Sequence, residues 1–243
     1  MNIAWMEEDI DNCVSSVEYC LAPAAAFVPT GLIDLETSDK DESIRLIQTF
    51  DTQLQPPAEY AALSYWRTKE QAVHQPTTTS ASLEQRLNAI HFDDMTALMQ
   101  GMVRTARALS IRYIWIDAIC IIQDDVGDWT REAGLIGLVY THVFMTICTL
   151  ATSSSLEDFL YRPPPLKVAF RSCLQPTVYG TFNLRYQPLH ERYIHPYCFR
   201  YLDQNYSAWA SRAWTLQEEQ LSTRPIYLSR SRIYIPCPNG NFT

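Results

Sequence analysis

Met95, Leu98, Met99, Met102, Val103 and Ala106 recur at i, i+3, i+4, i+7, i+8 and i+11. One continuous apolar stripe of that kind predicts a helix over about 94–109. Asp93 or Asp94 stands where a helix cap is needed. A Met-rich stripe can serve as an interaction groove, but packing into a core is the simpler reading.

Other segments follow a different rhythm. Gly31-Leu32-Ile33-Asp34-Leu35 and Ser43-Ile44-Arg45-Leu46-Ile47 read as two short strands joined by an acidic turn. Tyr60 to Tyr65 is a compact apolar run consistent with a buried strand. Tyr113 to Ile122 is apolar on both alternating faces apart from Asp117, the pattern of a strand covered on both sides in a parallel sheet. Asp128 can cap the helix that follows, and Phe144 to Leu150 reads as the next strand. Alternating strands and helices imply a doubly wound α/β core. After Tyr161 regularity breaks at Pro163-Pro164-Pro165. Helix is expected again over 207–222, then a final strand or hairpin over 226–235. The divisions expected are a weakly structured arm over 1–26, an α/β core over 27–160 and an irregular insertion over 161–206. A helix and strand of the same domain, over 207–243, complete them.

Composition narrows the possibilities without choosing among them. Of 243 residues, 47% are apolar and 19% charged, which is globular rather than disordered. A net charge of −8 and the lack of any basic run argue against a grip on nucleic acid. Seven scattered cysteines form no C-x-x-C pair, so free, mostly buried thiols in a reducing compartment are expected, with a cytoplasmic location as the default. The acidic start, Glu7-Glu8-Asp9, lacks the character of a signal peptide. Gly134 to Ala151 is uncharged and nearly long enough to span a bilayer. Its pattern turns from helical to strand-like midway, so no membrane span is expected.

Three blocks carry a family resemblance. They are Tyr60-Ala61-Ala62-Leu63-Ser64-Tyr65-Trp66; Arg112 through Asp125 with Asp128-Trp129, Glu132, Val139-Tyr140 and Thr146-Ile147; and Ser211-Arg212-Ala213-Trp214-Thr215-Leu216-Gln217-Glu218 with Leu221-Ser222 and Arg224. In order and spacing they resemble the fungal heterokaryon-incompatibility (HET) domain from roughly Gly31 onward. The chain departs from the family pattern at Tyr65-Trp66-Arg67, where the first loop is one residue shorter and lacks its glycine. Ile136 stands for a family Met, and Asp158 for a Gly. The early stop after the third block reads as a short or truncated member.

HET domains are in turn similar to Toll/interleukin-receptor (TIR) domains, some of which hydrolyse NAD. Leu63-Ser64-Tyr65 resembles the end of the first TIR strand, and Trp129-Thr130-Arg131-Glu132 resembles the TIR W-x-x-E motif. The resemblance implies a TIR-like or flavodoxin-like parallel sheet flanked by helices, with an irregular β-containing C-terminal extension. It implies Glu132 as a catalytic carboxylate, with Ser64, Tyr65, Trp66, Arg67, Asp117 and Trp129 lining the pocket. It further implies self-association on activation, NAD as a substrate rather than a bound cofactor, and a cell-death effector in non-self recognition. The alternative is a non-catalytic adaptor, or an inactive copy, acting only through protein contacts.

Each candidate has a plainer reading. An acid near a helix start is favoured by the helix dipole, by about 0.3–1 kcal/mol, whatever its chemistry. Asp117 can orient a ligand, or pair with Arg112 or Arg212. Trp66 and Arg67 can stack on a base and hold a phosphate, or simply pack. Trp214 and Glu218, four apart, are expected to share a face docked on the core, with Arg212–Glu218 as a possible ion pair. Cys120 reads as a small buried residue, Asp124-Asp125 as a turn, and His190 and His195 as no metal site.

Overall fold

The computed structural model describes residues 6, 8, 10–11, 27–35, 44–52, 54, 58–68, 74–161, 164–184, 204–205, 207–230 and 233–236. Three strands buried along most of their length organise the rest. They are β3 (Tyr60–Ser64), β4 (Tyr113–Trp115) and β5 (Met145–Cys148). Unbroken burial of β3 and β5 requires cover on both faces, as in a parallel sheet. β3 pairs in parallel with β4 on one side and β5 on the other, and β5 pairs in parallel with β8 (Pro225–Leu228).

Antiparallel strands extend both flanks of this block. β1 (Gly31–Asp34) lies against β4 and carries β2 (Arg45–Gln48), while β8 turns back into β9 (Ile233–Tyr234). Among the described residues the sheet has seven strands in the order β2-β1-β4-β3-β5-β8-β9. Among the parallel strands, the first in sequence is internal and the next two lie on opposite sides of it. That is the flavodoxin-like arrangement, with a topological switch point at the tip of β3.

Among the described residues the helices include α1 (Leu83–Asn88), α2 (Ala97–Ala108), α3 (Asp117–Cys120), α4 (Val126–Thr141) and α5 (Ala213–Leu221). The Met-rich stripe lies in the main core and, apart from Met95 just before the helix, on α2. Its cap is Thr96, whose hydroxyl accepts from the Met99 amide, because Asp93 and Asp94 are drawn into a preceding 3₁₀ turn.

The expected strand over 113–122 ends at Trp115. Amides of Ile119 and Cys120 turn back to the Ile116 carbonyl at 2.9 and 2.8 Å, forming α3. The Asp117 carboxylate accepts from the Ala118 amide at 2.7 Å, so this residue opens a helical turn rather than interrupting a strand. In a short, wholly apolar run, periodicity does not separate a strand from a buried helical turn. Thr78 straps the turn down, its amide and hydroxyl bonding the carbonyls of Ala118 and Ile119.

Two further expectations change. α4 is capped by Asp125, which accepts from the amides of Gly127 and Asp128, so Asp128 sits inside the first turn and Glu132 in the second. At the C-terminal end, Trp209 fills the buried aromatic position in a 3₁₀ turn, Trp209–Ser211, and Trp214 is 56% exposed. Docking α5 by Thr215 and Glu219 turns Trp214 outward. In the segment after Tyr161, β6 (Leu166–Arg171) and β7 (Tyr179–Leu184) form a two-stranded antiparallel hairpin separate from the main sheet.

Candidate functional site

Ser64 is the last residue of β3, and it is buried with Tyr65 at the switch point. Its hydroxyl accepts from the Trp209 indole Nε1 at 2.8 Å and donates to Glu218 Oε2 at 2.5 Å. The strand tip therefore meets the 3₁₀ turn and α5, both far along the chain from it, at one oxygen. Thr149, just past β5, donates its amide to the Ser64 carbonyl, tying the two central strand ends together.

One residue further on, the Tyr65 hydroxyl donates to Asp117 Oδ1 at 2.9 Å and accepts from the Gln75 side-chain amide. Arg67 Nη2 faces Asp117 Oδ2 at 3.7 Å. Arg212 Nη1 donates to the Tyr65 carbonyl at 2.7 Å. Two carboxylates, Asp117 and Glu218, thus flank the tip of β3, with a guanidinium beside each.

Their surroundings set the electrostatics. Burial pushes the Glu218 carboxyl up to about 7, with Asp117 raising it further and the Ser64 hydrogen bond and Arg212 opposing. Burial, reinforced by Asp117, holds Tyr65 well above the usual phenol range, so it stays a neutral donor. Burial disfavours the charge on Arg67, but Asp117 and Tyr65 outweigh it and its pKa moves up. A carboxyl near neutrality is suited to proton exchange at ordinary pH.

Of the expected site residues, Ser64, Tyr65, Arg67 and Asp117 come together here. Trp66 packs instead with the second apolar cluster around Cys148, Leu150, Trp209 and Tyr227. Trp129 lies on α4 and is 52% exposed. Glu132 is buried on α4, where its carboxylate accepts from Arg131 Nε at 3.2 Å and lies near the Cys120 thiol. It does not enter the Ser64–Tyr65 network. Asp117 pairs with Arg67 and Tyr65 rather than with Arg112 or Arg212. Arg112 makes a two-pronged bond to Asp34, at 2.8 Å on each oxygen. Arg212, spent on the Tyr65 carbonyl, acts on Glu218 through its field alone. Burial pushes the Cys120 thiol up to about 12, which leaves it a packing residue.

Sequence reasoning passed over Trp209 and Gln75 and gave Glu218 only a structural part. The third block held one signal for Glu218: its helix leads into the last parallel strand. Among the described residues, no three side chains of the metal-binding kinds cluster, and no helix is long and apolar enough to cross a membrane. His190 and His195 lie outside the described residues.

A doubly wound sheet with polar, titratable groups gathered at its switch point defines a flavodoxin-like, TIR-like α/β protein. The family model described as Heterokaryon incompatibility protein (HET) matches residues 60–218, which span β3 through Glu218. The chain belongs to this fungal family of cell-death effectors. No curated protein and no solved structure matches it.

Proposed function

We propose that the protein is an intracellular effector of fungal non-self recognition that kills by cleaving NAD at its nicotinamide–ribose bond. The observation that carries this reading is the Ser64–Glu218 hydrogen bond, which sets a carboxyl of near-neutral pKa at the switch point of the sheet. In open α/β sheets, ligands bind beyond the carboxyl ends of the strands at such a point.

The chemistry asked of the site is modest. The glycosidic electron pair leaves with nicotinamide while positive charge grows on the ribosyl ring. An ionised carboxylate beside that ring stabilises the charge, as in glycoside hydrolysis. A water oxygen bonds to the anomeric carbon, its proton passes to Glu218, and the products are nicotinamide and ADP-ribose. Ser64 and Trp209 hold the carboxylate's orientation. Arg67 supplies a guanidinium for phosphate, and Tyr65 and Asp117 offer bonds to ribose hydroxyls. Glu132, favoured by the W-x-x-E resemblance, is the rival carboxylate. Self-association is the proposed trigger.

One observation favours the adaptor reading instead: Asp117 is already engaged by Tyr65, Arg67 and the Ala118 amide. Expression of wild type, Glu218→Gln and Glu132→Ala in a fungal host, with survivors counted and cellular NAD measured, separates the two. The enzyme reading expects death with NAD loss in wild type and survival with Glu218→Gln. Death without NAD loss, or death unchanged in both variants, overturns it.

A further inference from the structure

The β6–β7 hairpin is an amphipathic sheet whose apolar side has no cover among the described residues. Its register pairs Leu166 with Leu184, Val168 with Phe182 and Phe170 with Gly180. Because alternate residues point to opposite faces, these six share one face, while Lys167, Ala169, Arg171, Tyr179, Thr181 and Asn183 share the other. A period of two this regular is the pattern of a sheet built to bury one side. Yet Leu166, Phe170, Phe182 and Leu184 are 65, 44, 45 and 49% exposed, and no hairpin residue belongs to either apolar core cluster.

The face is already shaped. The rings of Phe170 and Phe182 lie 6.1 Å apart, and Phe170 lies over Gly180, where a Cβ would come within 3.1 Å of the ring. Two strands alone are marginal in water and gain stability by packing against another layer.

We propose that this face is the interface on which two copies of the chain pair, hairpin against hairpin, about a twofold axis. A second copy is the occupant because the face is uncharged along its whole length and matches itself. Face-to-face packing brings no like charges together and leaves Lys167 and Arg171 on the outer, wetted sides. Four large side chains half exposed offer on the order of 100 Å² apiece, so two copies remove roughly 800 Å², the size of a weak, reversible contact. The surface deepens the self-association proposed above. Its readout is mass, so it stands or falls apart from NAD chemistry.

The test is the molar mass of the full chain by light scattering across a micromolar range, for wild type, Phe182→Asp and Thr181→Asp. Wild type is expected to move from one copy to two with concentration. Phe182→Asp, on the apolar face, should weaken pairing at least tenfold, while Thr181→Asp, on the polar face, keeps it. Far-ultraviolet circular dichroism checks that the variants fold, and Leu184→Asp replaces Phe182→Asp if that one does not. A wild type that stays at one copy means another partner or another part of the chain covers the face, and overturns the proposal. So does pairing that survives the folded apolar-face variant, or growth beyond two copies.

Discussion

The hydroxyl of Ser64 donates to Glu218 across 2.5 Å, joining the tip of the first parallel strand to the helix that precedes the last one. The same oxygen is the acceptor for the Trp209 indole. Ser64→Ala therefore strips two buried groups of their partner at once. The expected cost is about 1–3 kcal/mol, because an unsatisfied buried donor pays its full desolvation. Urea unfolding of both proteins measures it, read as a shift in midpoint at constant slope. Equal midpoints would show that water replaces the serine without loss.

Glu218 makes stability depend on pH with an unusual sign. Its pKa is raised from 4.5 to about 7, so between those values the folded chain holds a proton that the unfolded chain has released. Stability from the protonated acid is full below 4.5 and is lost as pH rises through 7. Over that window wild type should lose on the order of 2–3 kcal/mol relative to Glu218→Gln, in which no proton can leave. Unfolding midpoints from about pH 5 to pH 8 test this; parallel curves for the two proteins would contradict it.

Asp34 sits almost wholly buried at the edge of the parallel block, held by both prongs of Arg112 with Arg45 at 4.0 Å. Asp34→Asn keeps the shape and removes the charge. Because Arg112 is half exposed and can turn to water, the expected loss is about 1–3 kcal/mol rather than the larger cost of a fully buried pair. Thermal unfolding measures it, and raised salt should not abolish the difference, since the carboxylate is shielded from solvent.

Two glycines should answer alanine with opposite signs. A Cβ on Gly31 would lie 2.7 Å from the Cys120 carbonyl oxygen, a backbone atom that cannot swing aside, so β1 and α3 must separate. Gly31→Ala is expected to cost about 1–3 kcal/mol. Gly134, exposed on α4, meets nothing within 4 Å, and Gly134→Ala should stabilise by up to about 1 kcal/mol through helix propensity. A Gly31→Ala protein as stable as wild type would show that the close approach of β1 to α3 is slack.

Much of the scaffold could be read from the chain alone. Burial on both faces of Tyr60–Ser64 and Met145–Cys148, and the stripe on α2, are properties of local pattern, and pattern reveals them. The site was harder. Asp117 looked like a charge within a strand because the turn at Ile116 is made by backbone hydrogen bonds that any apolar sequence can form. Trp214 looked like the core residue because helical spacing gives a face but not which face is docked. Glu218 and Trp209 acquire meaning only through Ser64, some 150 residues earlier in the chain, and no local signal encodes such a meeting. A motif match drew attention to Glu132, whereas three-dimensional proximity draws it to Glu218.

Nicotinamide release from NAD, followed side by side for purified wild type, Glu218→Gln and Glu132→Gln under conditions that force self-association, tests the central claim most directly. The expected result is turnover by wild type and Glu132→Gln and a loss of at least a hundredfold in Glu218→Gln, the scale on which removing a positioned acid–base group is felt. Release that persists in Glu218→Gln but vanishes in Glu132→Gln would contradict it and return the chemistry to α4.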